Sequence, residues 1–404
     1  MKINLTHLVV VPLLLTALLG HAQETHWWKQ DSLYKFVQPT ASLQLWSLYT
    51  MNEKVQLDPT GVMEPVQDRV SFLARRARFG FKGKPYKKLS YVLTVQYDNL
   101  GKDKFSGARG GTNTGTFGVL DAYITWQVTK SDLVNISTGY LHPQMSRECI
   151  TGDMLVNSFD KSPSQGYIRQ HIVGKSYGRS TGINVGGLKK KGNVQIGYNA
   201  GVFNNLTTAS DTKEFPETTG KYWSPLTIER VTISLGDPDM KTYSLNYDVN
   251  NFWNNRKGVT IGFYTSQQGR TDIFSNNLSV GADVLFNYAN FNLDAEWSRL
   301  ERNVEGLHYK AETGHVRAGY NLIIAKKFFL EPCVAFVVYS GDNGGQFSGE
   351  DNLYDFGLNC YLNKKSNKLS VHYIKQNGSG DNGYTDGETF QKGNFVGLAY
   401  VLIL

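Results

Sequence analysis

The segment Asp121-Ala122-Tyr123-Ile124-Thr125-Trp126-Gln127-Val128 decides the fold class, because its polarity changes at almost every residue. Its even-numbered residues are all apolar, and its odd-numbered residues are Asp, Tyr, Thr and Gln. Successive side chains of a strand point to opposite faces, so this pattern predicts a strand with one apolar and one polar face. A single strand of this kind occurs in many β-proteins, so the rest of the chain must show what the strand belongs to.

The same alternation recurs along the chain, in about sixteen segments of about ten residues each, the length at which a tilted strand crosses the hydrocarbon of a membrane. The segment 238–256 is the hardest to assign. The predicted strands are 42–50, 70–83, 88–98, 118–129, 132–141, 178–188, 193–203, 227–236, 257–268, 277–287, 289–301, 312–324, 327–341, 352–362, 368–377 and 393–404.

The connections between these segments tend to alternate between short and long. Tight turns are predicted at 84–87, 129–131, 189–192, 325–326 and 363–367, and longer polar segments at 51–69, 99–117, 142–177, 204–226, 342–351 and 378–392. Barrels of the outer membrane have short periplasmic turns and longer external loops. In lipid every backbone group must be paired, so the last strand must close on the first. We therefore predict an all-β fold, a transmembrane antiparallel β-barrel of about sixteen strands with a long third external loop.

The N-terminus predicts export. Lys2 precedes an apolar run at 8–19, which is followed by Gly20-His21-Ala22. The run has about 12 residues, too few for a membrane span of about 20, and matches the apolar core of a signal peptide. We expect a signal peptide at 1–22 that is cleaved after Ala22, an N-terminal periplasmic segment at 23–41 and the barrel at 42–404. The expected location is the outer membrane of a Gram-negative cell envelope.

Charge and motifs exclude several functions. The net charge is +7, which in an exported protein favours contact with anionic solutes or lipid over nucleic acid. Cys149, Cys333 and Cys360 match neither a metal-binding spacing nor a disulfide framework. The histidines lie in no recognisable Ser/His or His-Glu-x-x-His motif. We therefore predict no catalytic residue, cofactor or metal ligand.

Basic residues fall on the polar faces of several predicted strands, which would line the lumen. They are Arg76, Arg78, Lys82, Arg230 and Arg317. Acidic residues fall on the same faces, at Asp98, Asp121, Asp283, Asp294, Glu296 and Asp355. Two interpretations remain open and are compatible. Paired charges could brace the wall, or the arginines could attract anions, because a guanidinium offers a fork of donors to phosphate or carboxylate.

The third external loop, about 142–177, is a candidate constriction because a barrel of about sixteen strands leaves an aqueous channel. Its basic residues are Arg147, Lys161, Arg169 and Lys175, and its acids include Glu148, Asp153 and Asp160. Folded inward, the loop would set the size limit and the electric field; splayed on the surface, it would do neither. Lys102, Lys104 and Arg109 in the preceding loop could add to a basic mouth or keep a Gly-rich segment solvated, and we favour the second interpretation.

Several short motifs resemble the phosphate-selective porin O and P family. The strand Arg75-Arg76-Ala77-Arg78-Phe79-Gly80-Phe81-Lys82-Gly83 carries the resemblance, and Tyr97-Asp98, Asp121-Ala122-Tyr123, Thr138-Gly139-Tyr140-Leu141 and Ser146-Arg147-Glu148 follow in the family's order. The resemblance covers roughly residues 70–190. It implies a sixteen-stranded porin, often a homotrimer, with the third loop inside the channel, Arg76 and Arg78 on the pore wall, and Arg147 at the start of that loop.

The sequence departs from the family in its charges. Phosphate selectivity in the family depends on a long arginine ladder and a lysine-rich constriction, whereas here scattered lumen arginines are interleaved with acids. We therefore expect passive diffusion of small solutes with an anion bias that could extend to phosphate. The alternative is a plugged structural or adhesive barrel whose long loops, such as 99–117 and 204–226, bind a partner. An enzyme is the least favoured class.

Overall fold

The structure is a computed structural model, and it describes residues 36–56, 62–109, 117–174, 177–204, 221–247, 256–325, 328–342, 349–364, 366–378 and 390–404. The predicted signal peptide at 1–22 and the predicted constriction residue Lys175 lie outside the described residues. Of the segment 23–41, the description begins at residue 36. In this part of the chain, no helix has the length and apolar character needed to cross a membrane.

The structure is almost entirely β. Its strands are β1 (Gln38–Met51), β2 (Lys54–Gln56), β3 (Met63–Pro65), β4 (Arg69–Tyr86), β5 (Leu89–Gln96), β6 (Gly118–Gln127), β7 (Asn135–Leu141), β8 (Ser180–Lys191), β9 (Val194–Phe203), β10 (Leu226–Gly236), β11 (Gly258–Gln268), β12 (Asn276–Tyr288), β13 (Phe291–Val304), β14 (Leu307–Tyr320), β15 (Leu322–Ala325), β16 (Phe328–Gly341), β17 (Gly349–Asn363), β18 (Asn367–Gly378), β19 (Phe390–Gln391) and β20 (Asn394–Ile403). Two helices, α1 (Arg147–Ile150) and α2 (Ser164–Val173), lie between β7 and β8.

Sixteen crossings close into an antiparallel barrel, which confirms the predicted fold class. β14 and β15 together make one of these crossings, because both pair with β16. The first and last strands pair along their length, with Ser42 opposite Ile403 and Thr50 opposite Phe395. Closure of this kind pairs the edge groups that lipid could not satisfy. The short strands β19, β2 and β3 form a separate small sheet.

The alternation of side chains explains why the barrel suits a membrane. In β11 the side chain of Phe263 is 56% exposed on the outer face, whereas its neighbour Tyr264 is 4% exposed inside. β9 and β10 show the same alternation of exposed and buried residues. Exposed apolar side chains have a favourable environment in lipid, while the inward faces carry polar groups. The period-two pattern therefore assigns each side chain to lipid or to the lumen.

We call the barrel end with the long connections the outer end and the opposite end the inner end. Two connections depart from the expected rhythm. At the outer end β13 and β14 are joined only by Glu305 and Gly306, whose φ angles of 51° and 84° suit a two-residue hairpin turn. At the inner end the connection 237–257 is long. Its described part, 237–247 and 256–257, contains no strand, and 237–247 turns into the lumen, so this part of the segment that was hardest to assign is a connection.

The long connection between β7 and β8, which we call the third loop (142–179), folds into the lumen in its described part, 142–174 and 177–179. Its residues contact inward-facing groups of many strands. Lys368 of β18 donates to the Val156 carbonyl oxygen at 2.7 Å, and Arg317 of β14 contacts Glu148 at 2.8 Å. Arg75 of β4 contacts Asp160 at 2.8 Å. The loop thus reaches opposite sides of the barrel wall and divides the lumen.

Candidate pore and constriction site

The third loop leaves two unlike halves of the lumen. The packed half lies between the loop and the inner faces of β8 to β14 and contains a buried apolar cluster. The cavity half lies beside β1, β4, the inward Arg317 of β14, β16 to β18 and β20, where a cavity of about 480 Å³ remains. The apolar cluster of the packed half includes Leu141, Met145, Ile150, Ile168, Ile172, Phe203, Leu245, Tyr247, Tyr264 and Tyr339.

Buried ion pairs brace the packed half. Arg230 of β10 donates to Asp283 of β12 at 2.6 and 2.9 Å, and its side chain is only 1% exposed. Arg147 of the third loop contacts the same Asp283 at 3.2 Å and Asp239 of the inner connection at 2.7 Å. Two arginines therefore face two carboxylates in a place that water hardly reaches. A balanced arrangement of this kind ties loop, wall and inner connection together.

The inner connection completes the packed half. Tyr243 N donates to Asp132 Oδ2 in the turn after β6, at 3.1 Å, where the segment enters the barrel. Further in, Tyr247 N donates to the Ile150 carbonyl oxygen at 3.1 Å, and Gly152 N donates back to the Tyr247 carbonyl oxygen at 3.0 Å. The segment from the inner end and the loop from the outer end therefore meet by backbone hydrogen bonds within the lumen.

The cavity half has a lining rich in cations. Among the described residues the lining contains eight Arg or Lys side chains and four Asp side chains. The cations are Arg75, Arg76, Arg78, Arg109, Lys161, Arg169, Arg179 and Arg317, and the acids are Asp98, Asp153, Asp160 and Asp355. The cavity is thus lined mainly by positively charged groups.

In the cavity half, single carboxylates form ion pairs with two or more cations. Asp160 contacts Arg75 at 2.8 Å and Arg76 at 2.7 Å. Asp153 contacts Arg78 at 2.5 Å, Lys161 at 3.3 Å and Arg76 at 3.7 Å. Each shared carboxylate neutralises only one of the cations around it. A connected row of cations therefore runs from the β4 wall onto the third loop.

The inward orientation of Arg75 was not predicted, because it depends on an irregularity in β4. The register between β1 and β4 shifts after Gln44, which pairs with Arg76 while Leu45 pairs with Ala74. One extra residue therefore lies in β4, and a bulge re-aims the side chain that it inserts. Arg75 consequently contacts Asp160 inside the barrel. Strict alternation would have directed Arg75 to lipid.

The loop cations Lys161 and Arg169 lie deep in the site. Both donate to the Cys149 carbonyl oxygen, Lys161 at 3.5 Å, and Lys161 Nζ also donates to the Thr151 carbonyl oxygen at 2.7 Å. Burial and then the neighbouring Arg169 charge lower the pKa of Lys161 to about 8. Arg169 has no carboxylate partner among the described residues, and its Nε lacks a hydrogen-bond acceptor there.

Glu148, Asp294 and His315 form a cluster whose potential ligand atoms lie within 4.8 Å of one another. Arg317 contacts Glu148 at 2.8 Å and Asp294 at 2.5 Å. The guanidinium already supplies positive charge to both carboxylates, so a metal ion would have to compete with it. The cluster is consequently explained as an ion-pair network that joins the loop to β13 and β14.

The predicted site residues separate into four groups. Arg76, Arg78, Arg317, Lys161 and Arg169 all line the cavity. Arg230 and Arg147 point into the lumen but are buried in the packed half. Lys82 is exposed near the inner end of β4, opposite Gln38, and does not line the cavity. Lys175 lies outside the described residues.

For Arg109 we favoured solvation of its loop over a place in a basic mouth, but the structure does not place it on the loop surface. It lies inside the barrel, where it pairs with Asp351 of β17 and donates to Gln376 at 2.6 Å. Arg179, the last residue before β8, also lines the cavity and pairs with Asp121 at 3.2 Å. The positions of both arginines depend on how loops fold back into the barrel, which strand periodicity does not encode.

Comparison with known proteins identifies the class of protein to which this barrel belongs. The chain matches the sequence profile of the phosphate-selective porin O and P family over residues 50–397. No curated protein matches it significantly. Among solved structures, Salmonella typhi OmpF, in complex with daunomycin, is 11% identical with a TM-score of 0.55, over 91% of this chain and 97% of that one. Pseudomonas putida OprB is 10% identical with a TM-score of 0.52, over 93% and 96%.

The trimer form of Vibrio cholerae OmpT is 11% identical with a TM-score of 0.51, over 91% of this chain and 99% of that one. At such low identity these structures share the fold with this chain. Together, the closed barrel and the family match define an outer-membrane porin. The chain belongs to the phosphate-selective porin O and P family.

Proposed function

We propose that the protein allows passive diffusion of small solutes and that its cavity half favours anions, including phosphate among other small anions. The observation that carries this proposal is the excess of cationic side chains over carboxylates in the cavity lining. Fixed charges along a narrow aqueous path bias which ions enter it. The family description agrees with this bias but does not identify the solute.

The arrangement of the partner acids supports the same bias. Arg109, Arg179 and Arg317 all line the cavity. Their acidic partners Asp351, Asp121, Glu148 and Asp294 are not part of that lining. The guanidinium groups therefore stand between these carboxylates and the cavity. A solute in the cavity meets the positive ends of the pairs first.

A plugged structural or adhesive barrel is the second candidate. The observation in its favour is the contact between the third loop and the inner connection, where Ile150, Gly152 and Tyr247 are joined by hydrogen bonds. In this alternative the packed half would extend across the whole lumen in solution, and the external loops would bind a partner. A protein of this kind would insert into bilayers without conducting.

Processing and assembly belong to the same proposal. We expect cleavage of the signal peptide after Ala22, followed by a short periplasmic segment that leads into β1. We also expect a homotrimer in the outer membrane, in contact with lipid over the exposed apolar face. Vibrio cholerae OmpT, an outer-membrane protein of similar fold, has a trimer form, and this supports the expected trimer.

Single-channel recording in planar bilayers, with chloride and then phosphate as the anion, tests the proposal. We expect steady conductance steps from the refolded protein, with an anion preference that Arg76→Ala and Arg78→Ala reduce. Arg270→Ala is a matched control, because Arg270 is exposed in the connection after β11 and does not line the cavity. An absence of steps from a folded, heat-modifiable barrel would reject the porin mechanism in favour of the plugged barrel.

A further inference from the structure

We propose that the cavity is a binding site for aromatic carboxylates, which it prefers to inorganic phosphate. The inference rests on the proposed function, because it names the class of solute that the anion-biased half would retain. Two independent features of the cavity carry it. One is a group of cations with too few carboxylates, and the other is an apolar wall beside that group.

The local charges do not balance. Five cations form one connected group: Arg75, Arg76, Arg78, Lys161 and Arg169. Their carboxylate contacts among the described residues are Asp98, Asp153 and Asp160. The group thus carries two more positive than negative charges when every side chain is ionised. A buried excess of charge is costly unless a counter-ion is available, so an anion would be bound favourably here.

Arg169 is the member of this group that has no carboxylate contact in the part of the chain that the structure describes. Its side chain is 3% exposed, and its described contacts are the neutral groups of His142 and Cys149. The chain makes specific room for it at Gly178, whose φ is +65° and where a Cβ would lie 2.4 Å from Arg169 Cδ. A carboxylate can accept two parallel hydrogen bonds from a guanidinium. Arg169 is therefore placed to receive an acidic head group.

An apolar wall adjoins the cations. Trp46, Phe159 and Phe395 line the cavity, with ring centroids 4.5 Å apart for Trp46–Phe159 and 5.7 Å apart for Phe159–Phe395. Further apolar lining comes from Ala335, Val337, Leu353 and Ile374 of β16 to β18. Phe159, Asp160 and Lys161 are consecutive in the loop, so the aromatic wall and the cationic group meet directly.

These two features together distinguish among anions. Phosphate can use the cations but gains nothing from an apolar wall, and its removal from water is costly. An aromatic carboxylate places its charge at the cations, while its ring leaves water for an apolar surface. Aromatic rings also stack on aromatic side chains and on guanidinium planes, and Arg75 already lies 5.0 Å over the Trp46 ring.

The test is equilibrium binding to the full-length folded barrel in detergent by calorimetry, with benzoate, inorganic phosphate and neutral benzamide as probes. We expect benzoate to bind at least about tenfold more tightly than either other probe, a difference of about 1.4 kcal/mol. Arg169→Gln should weaken benzoate binding about tenfold. Phe159→Leu should weaken benzoate binding and leave phosphate binding unchanged, whereas Arg270→Gln should change neither.

Each contrary result has a distinct meaning. Equal binding of benzoate and phosphate would overturn the proposed preference, and equal binding of benzamide would show that the anionic head is not recognised. An unchanged affinity in folded Arg169→Gln would overturn the assignment of the head group to Arg169. Conductance steps without benzoate binding would reject the site but leave the porin function intact. Benzoate binding without conductance would support the site and reject diffusion through the barrel.

Discussion

The packed half and the cavity half of the lumen use the same residue types for different purposes. In the packed half, Arg230 and Arg147 face Asp283 and Asp239, so charges are matched and water is excluded. In the cavity half, the single carboxylate of Asp153 forms ion pairs with three cations. The first arrangement holds the loop in place, and the second leaves positive charge available to a solute. The ratio of cations to acids, rather than the presence of arginine, therefore decides whether the charged residues hold the loop in place or attract a solute.

The largest effect is expected from Asp283→Asn, which leaves Arg230 and Arg147 buried without their shared carboxylate. Loss of one partner from a buried pair costs about 3–5 kcal/mol, because the remaining charge is uncompensated. We expect a correspondingly lower free energy of unfolding in a urea titration in detergent. The control is Arg299→Gln in an exposed pair with Glu301, for which we expect less than about 1 kcal/mol. Equal losses in the two variants would contradict the bracing role.

Tyr247→Ala tests whether the packed half closes part of the lumen. The Tyr247 ring lies 5.4 Å from the Arg147 guanidinium and 5.9 Å from that of Arg230, at the junction of loop and inner connection. Removal of the ring should raise single-channel conductance by about twofold or more, because water and ions would then enter part of the packed half in addition to the cavity half. Tyr288→Ala, which is exposed on β12, should leave conductance unchanged. An unchanged conductance in folded Tyr247→Ala would contradict the claim that this ring closes part of the lumen.

Asp153→Asn increases the excess of positive charge in the cavity half. It removes the carboxylate shared by Arg76, Arg78 and Lys161, so the permeability ratio of chloride to potassium should rise about two- to threefold. Reversal potentials in a salt gradient measure this ratio. The corresponding change in the packed half, Asp239→Asn, should leave the ratio unchanged because Asp239 does not line the cavity. A fall in the ratio for Asp153→Asn would contradict the assigned polarity of the lumen.

The smallest effect is a dependence on pH. Because burial and Arg169 lower the pKa of Lys161 to about 8, its charge is lost as the pH rises through that value. The cation excess then falls, and the chloride-to-potassium ratio should decline by less than about twofold between pH 7 and pH 9. Lys161→Arg keeps its charge throughout and should abolish the decline. The same decline in Lys161→Arg would assign the titration to another group.

The barrel could be predicted from sequence because lipid imposes a strict rule on every strand. Phe263 faces outward and Tyr264 inward as the alternation requires. Side chains that face the lumen are not restricted in this way, because either polar or apolar groups can be placed there. Strand periodicity predicted that Arg230 points inward, yet only the folded loop shows that it is buried there.

Three further positions were beyond prediction for physical reasons. Arg75 points inward because of a bulge, which alternation cannot anticipate. Arg109 reaches Asp351 through a contact between residues far apart in the chain. The inner connection at 237–247 is held in the lumen by tertiary contacts such as Tyr243 to Asp132. Tyr243, Leu245 and Tyr247 alternate with polar residues as in a strand, so alternation alone could not show that this segment leaves the barrel wall.

The central claim is that unmatched cations bias the cavity half towards anions. Its most direct test is the reversal potential of the refolded wild-type protein in a potassium chloride gradient, compared with that of Arg169→Gln. The account predicts a chloride-selective potential in the wild type. It predicts a shift towards zero in Arg169→Gln, because this substitution removes a positive charge that has no carboxylate contact among the described residues. A cation-selective or unselective wild-type channel, or a potential that Arg169→Gln leaves unchanged, would contradict it.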